Sequence, residues 1–414
     1  MCWIGGAPDR SGHNRYMGQA LRELDPRASA AATFGAELRA RRLAEGRSLR
    51  QLGQLVLVSP ELLAKVEKAQ RCPRPDLVER LDTVLETRGE LARLAAPLFT
   101  ATDRSAPDLP KLDPGSAEIE LRRVIDDVRA TDHTLAADRL AELMTFAEAA
   151  GAVDDSGLAT PAKRSLRRTL AEAEQLAGWM LFDRGDQAGA ERMFADARRT
   201  AQQAGAADLV AYVLGPSAAY ASIWCGDAEL GAERAYGALA WARRSGNRRL
   251  AAFVAAVAAR AHARLGEGDL CRQMLGESEW ELDRHVADGS DPGWLSVFDE
   301  ATLAGYRGLC LLDLGEPRAA IAALGQQEVA TPPQFVRNSI IWRLECAQAH
   351  LRLGEIDTAG SEIEKALDYA EPGAVTPRVV RVFHAADLRL RSDRSVRELA
   401  TTRERLWGFI SANG

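Results

Sequence analysis

The chain runs to 414 residues, too long for one ordinary domain and suited to two or three. Ala, Leu, Arg and Glu dominate and only 6% of residues are aromatic, which favours helices over sheet and points to an all-α chain. The formal net charge of −6 excludes a protein that coats nucleic acid along its whole length, and no apolar run is long enough to span a membrane.

Residues 1–32 read as a loose leader, with Met17 as an alternative start, and nothing in them resembles a signal peptide, so a cytoplasmic protein is expected. Residues 33–99 read as a module of five short helices. Phe34, Leu38 and Leu43 give the first an apolar side. Ser48, with Gln51 three residues on, forms a capping box and opens a second helix carrying Leu49, Leu52 and Leu55. Ser59, followed by Pro60 at the first helical position, opens a third through Leu62, Leu63 and Val66 to about Lys68. Pro73 and Pro75 break the chain before a helix over 76–85. Two short helices joined by the tight segment VLVS (56–59), the second ringed with basic residues, are the signature of a helix-turn-helix. Between Arg39 and Arg74 nine basic residues stand against three acidic ones. That puts +6 in one short window, leaves −12 for the rest, and marks a local polyanion site.

The segment SLRQLGQLVLVSPELLAKVEKAQRCPRPDLVERL (48–81) resembles the phage-repressor, Cro-like helix-turn-helix family, also called the xenobiotic-response-element type. Leu52, Leu55, Val58, Ser59, Leu63 and Glu67 occupy the family's usual frame. The resemblance implies a structural ion pair between Glu67 and Arg42. It also implies that Ser59, Pro60, Glu61 and Lys65 face the bases of double-stranded DNA. Lys65 suits guanine O6/N7 and Glu61 suits cytosine N4. Arg50, Lys68, Arg71 and Arg74 are placed for phosphates, which fix register without reading sequence. The chain departs from the pattern at Leu57, where the turn usually has glycine, and at Leu49 and Pro60, where polar residues are frequent.

TATDRSAPDLPKLDPG (100–115) reads as a linker, and 116–414 as a helical repeat array. Five glycines anchor it: Gly185, Gly226, Gly266, Gly315 and Gly354, at spacings of 41, 40, 49 and 39 residues. Seven residues before each stands a small residue (Gly178, Ala219, Ala259, Gly308, Ala347), and an acidic residue follows each directly. A second small residue lies five after (Ala190, Gly231, Cys271, Ala320, Ala359). Phe194, Ala235, Leu275, Leu324 and Ile363 lie nine after. The pattern describes helical hairpins: the glycine ends the first helix, and the small positions let the second pack closely. One hairpin cannot bury its own apolar face, so the repeats must stack.

This pattern resembles the tetratricopeptide repeat over about residues 165–370, most closely in LFDRGDQAGAERMFADA (181–197) and LRLGEIDTAGSEIEKAL (351–367). It implies a right-handed α-solenoid whose helices or linkers are extended beyond the usual ~34-residue period. The 49-residue gap carries an insertion around HVADGSDPGW (285–294), read as a loop. Helical pairs at 116–150 and 376–411 read as caps. Trp179, Phe182, Tyr220, Trp224, Tyr306 and Trp342 are candidates for an effector groove, as against inter-repeat core; Trp241, Trp294 and Phe298 recur with them.

Six scattered cysteines without a CxxC pair read as small hydrophobes in a reducing compartment. Six histidines lack metal-ligand spacing, and His262 and His350, each four before an anchor glycine, read as packing positions. Ser217 lacks the second glycine of a nucleophile elbow. No enzyme, cofactor or metal is expected.

The joint layout resembles actinobacterial regulators of development and secondary metabolism. It implies a DNA-binding transcription regulator whose repeats take a peptide, small-molecule or protein effector and form a homodimer. The alternative is a non-catalytic adaptor or anti-regulator whose helix-turn-helix no longer reads DNA.

Overall fold

The structure is a computed structural model that describes residues 30–69, 71–85, 87, 89–100, 110–132, 139–154, 159–330, 336–370, 375–391 and 399–413. The leader through residue 29, with Cys2 and Met17, and residues 101–109 of the expected linker lie outside the described residues. Every regular element among those described is helical, and the chain divides into two units, Met1–Asp103 and Arg104–Gly414.

The first unit holds α1 (Ala30–Ala44), α2 (Leu49–Val56), α3 (Pro60–Glu67), α4 (Pro75–Val84) and α5 (Glu90–Thr100). Phe34, Leu38, Leu52, Val56, Leu63, Leu81 and Leu91 form its core. Three leucines expected on buried faces are placed otherwise. Leu49 is half-buried, while Leu43 and Leu55 are exposed, because the core takes Leu38 from α1 and Leu52 and Val56 from α2. Local signals decide the helix starts. Ser48 Oγ accepts from the Gln51 amide while Gln51 returns the bond to the Ser48 amide, and Ser59 Oγ accepts from the Leu62 amide at 3.2 Å.

Between α2 and α3, Leu57 sits in the left-handed region at φ 57°, ψ 47° and donates its amide to the Gly53 carbonyl. A side chain there crowds the following carbonyl, and Leu57 is half-exposed, so it gains little from burial. Leu57→Gly is therefore expected to stabilise this unit by ~0.5–1 kcal/mol despite glycine's entropy cost. An upward shift of the unit's melting transition, by calorimetry, checks it; a downward shift would show that the leucine contributes more than its backbone costs.

The second unit is a series of helical hairpins. They are α6 (Ala117–Asp132) with α7 (Leu140–Asp154), and α8 (Thr160–Arg184) with α9 (Gln187–Ala204). Then α10 (Ala207–Tyr212), continued by α11 (Tyr220–Trp224), pairs with α12 (Ala228–Ser245), and α13 (Arg248–Leu265) with α14 (Gly268–Asp283). The series ends with α15 (Glu300–Asp313) and α16 (Pro317–Ala330), α17 (Val336–Leu353) and α18 (Ile356–Tyr369), and α19 (Pro377–Arg391) and α20 (Ala400–Asn413). All five anchor glycines have φ between 75° and 94°, a conformation that ends a helix without a Cβ penalty. Every small and bulky position of the repeat pattern is buried. A Cβ at Gly178 would fall 2.7 Å from the Phe194 ring, and one at Gly308 would fall 2.6 Å from Leu324 Cγ. The small residue of the first helix thus seats the bulky residue of the second.

The long period comes from the helices, since α9, α12, α13 and α17 each run to 18 residues. After two anchors the acidic residue caps the next helix, Asp186 to the Gly189 amide at 2.8 Å and Asp227 to the Leu230 amide at 3.0 Å. After two others a glutamate instead takes the histidine four before the glycine. His262 Nδ1 lies 2.6 Å from Glu267 Oε2, and His350 Nδ1 lies 2.6 Å from Glu355 Oε2. Both histidines therefore fasten hairpin corners. Cys271 and Cys310 are buried hydrophobes as read, but Cys72 and Cys225 are exposed.

Two features were not expected. Pro216 lies inside a helix, which widens to a π turn over Val213–Ala219 instead of breaking. Proline cannot donate to the carbonyl four residues back, and the wider turn accommodates the misfit. Secondly, the last hairpin, read as a cap, also packs back on the second: α19 meets α8. Asp183 of α8 holds Arg337 of α17 and, at 3.1 Å, Arg378 of α19.

Candidate functional site

In the first unit, α3 presents Glu61 and Lys65 one turn apart, both exposed. Of the four residues expected at the bases, these two carry reactive side chains outward. Ser59 is half-buried and spends its hydroxyl on the α3 cap, and Pro60, at the first helical position, has no side-chain donor. Arg50 on α2 and Lys68, Arg71 and Arg74 between α3 and α4 are exposed. None of these four, nor Lys65, has an ion-pair partner among the described residues. Arg41, Arg42, Arg47 and Arg80 of the same unit are paired.

Arg42 and Glu67 form a bidentate pair, Nε to Oε1 at 2.5 Å and Nη2 to Oε2 at 2.9 Å. Both are buried, and Arg42 Nη1 also donates to the Arg47 carbonyl at 2.8 Å. The hydrogen bond to Glu67 raises the arginine's pKa, so the charge is fixed. The pair ties α1, α3 and the approach to α2 together and stands apart from the exposed basic set.

In the second unit the first helices of the hairpins line an open cavity of about 530 Å³. Its wall comes from α6, α8, the π-containing run, α13, α15, α17 and α19, together with the 3₁₀ turn Gly293–Val297 of the insertion. The insertion read as a loop thus ends in a structured turn whose Trp294 lies against Tyr212, ring centroids 4.4 Å apart. Tyr212, Pro216 and Tyr220 line the cavity on either side of the widened turn.

Of the six groove candidates, Trp179, Tyr220, Tyr306 and Trp342 line the cavity. Phe182 and Trp224 do not. Phe182 is fully buried with Ala190 and Phe194, and Trp224 packs edge-on to Phe182 and against the C-terminal hairpins. Helical spacing shows that a residue is apolar, not which of two packed sides it faces. Sequence reading missed Phe253 and Tyr212 as wall residues, and it missed Arg129, Arg337 and Arg378 altogether.

Arg378 is 1% exposed and lies 5.1 Å from the ring centroids of both Trp179 and Phe182, and 5.2 Å from that of Trp224. A cation over ring faces is attracted by their quadrupoles, which offsets part of its desolvation. Burial raises the Tyr306 hydroxyl well above its ordinary pKa, so the phenol stays neutral. No group of His, Cys, Asp and Glu among the described residues could hold a metal ion, and no helix there is long and apolar enough to cross a membrane.

Residues 33–95 match the family described as Helix-turn-helix domain, so the first unit is a helix-turn-helix domain. No curated protein matches the chain. Among solved structures, the chain is similar to that of Bacillus thuringiensis PlcR in complex with the peptide PapR7 and DNA. The identity is 12%, the match covers 72% of this chain and 93% of that one, and the TM-score is 0.32.

Proposed function

We propose that the chain is a sequence-specific DNA-binding transcription regulator whose repeat unit binds an effector in its cavity and forms a homodimer. The observation that carries this reading is the set of exposed basic side chains, without ion-pair partners among the described residues, on a helix-turn-helix. Such charges release counterions from a phosphate backbone, while Glu61 and Lys65 offer an acceptor and a donor to base edges. The cavity is proposed as a binding site and not a catalytic one.

Gel-shift titration against selected genomic fragments tests the DNA half. Lys65→Ala is expected to cost ~1–3 kcal/mol on the selected site and to relax its sequence preference. Arg71→Ala is expected to weaken binding on all sequences and to lower the salt slope by about one. Failure of the full chain to bind any genomic fragment at low salt, with or without host extract, would overturn the reading. A stoichiometric protein partner that survives nuclease treatment and removal of residues 33–99 would favour an adaptor instead.

A further inference from the structure

Among the cavity's lining residues, the buried polar atoms without a hydrogen-bond partner are donors. Two buried carboxylates stand behind its wall, and each is shared by two guanidiniums. Glu172 takes Arg122 at 2.6 Å and Arg129 at 3.2 Å, and Asp183 takes Arg337 and Arg378. Four guanidiniums thus converge on two carboxylates beside the cavity. The one carboxylate among the described lining residues, Asp126, is exposed.

The buried donors agree with the charges. Arg378 Nη1, Trp294 Nε1 and Arg129 Nη2 all lack an acceptor among the described residues, and all three side chains line the cavity. Arg378 and Trp294 are more than nine-tenths buried. Buried donors in folded proteins are almost always satisfied, so these are open to acceptor atoms that a ligand brings. The remaining wall is aromatic: Trp179, Trp294, Tyr306 and Trp342 present flat apolar surface. The volume is that of a small-molecule site, not of a groove for a long extended peptide.

We infer that the cavity takes a small organic anion with a planar aromatic body, its acidic group seated at Arg378 and Arg129. A cation would meet like charge there, and a neutral ligand without acceptors would leave the donors unmade. The inference rests on the repeat unit's being the effector-binding half of the protein and names the chemistry of that effector.

The test uses the full chain and four probes of one shape: 2-naphthoate, 2-naphthyl phosphate, 2-naphthamide and 2-naphthylmethylammonium. Binding is followed by quenching of tryptophan fluorescence and by calorimetry. The two anions are expected to bind at least about tenfold more tightly than the amide, at one site per chain, and the ammonium not at all. The ratio of carboxylate to phosphate then distinguishes which acid the site prefers. Arg378→Gln is expected to abolish the preference for anion over amide. Because Arg378 is buried on Asp183, Arg129→Gln serves as the second variant, expected to narrow the preference severalfold while circular dichroism stays native. Equal binding of anion and amide, tighter binding of the ammonium, or no saturable binding of any probe by the folded chain overturns the inference. Operator binding without ligand is measured in parallel. Its loss with naphthoate binding intact would sink the regulator reading and leave this one standing.

Discussion

Glu67→Ala is expected to unfold the helix-turn-helix unit within the otherwise intact protein. The substitution leaves the Arg42 guanidinium buried between α1 and α3, its two bonds to Glu67 lost and the bond to the Arg47 carbonyl remaining. Breaking a buried ion pair by removing one member costs about 3–5 kcal/mol, because the survivor stays desolvated without its counter-charge. A core of this size supplies ~3–5 kcal/mol in total, so little stability would be left. Hydrogen exchange is the direct measurement. Protection in α1–α4 should collapse while α12–α14 keep theirs, and operator binding should vanish with it. Replacing both partners by apolar residues, Arg42→Met with Glu67→Leu, should restore much of the protection, since two charges no longer need each other. Retained protection in the single variant would show that the pair is dispensable.

Asp183→Ala should have an effect of similar size on the second unit. Asp183 is the shared counter-charge of Arg337 and Arg378, all three buried, and it joins α8 to α17 and α19. Removing it leaves two guanidiniums facing each other across the place of the lost carboxylate, an expected loss of at least ~3 kcal/mol. The loss should be local at first. Exchange protection is expected to fall in α17 and α19–α20 and the emission of Trp179 and Trp224 to change, while α12–α14 hold. Unchanged protection in α19 would mean that apolar packing alone keeps the last hairpin in place.

The contrast between these two sites shows what can be read from sequence. Arg42 and Glu67 lie in a short motif with a known frame, so their pairing was open to analogy. The Gly185, Gly226, Gly266, Gly315 and Gly354 series was legible because each repeat solves the same local problem, a helix stop followed by close packing. Asp183, Arg337 and Arg378 solve no local problem. Their pairing follows from how far the hairpins curl, the sum of many small rotations between neighbours that no single repeat encodes. The same limit applies to Phe182 and Trp224, whose spacing fits core and cavity equally. It applies also to Pro216: a proline inside a helical pattern signals a break, and its sequence does not show that a wider turn absorbs the misfit instead.

The contact between α8 and α19 also has a consequence for how the chain is made. Asp183 meets Arg337 only after 154 further residues, and at ~5–20 residues per second their synthesis takes roughly 8–30 s. Throughout that interval Asp183 is without the two guanidiniums that neutralise it in the folded chain. The neighbour contacts between hairpins can form as each emerges, but the ion pairs at Asp183 close only once α17 and α19 have been made.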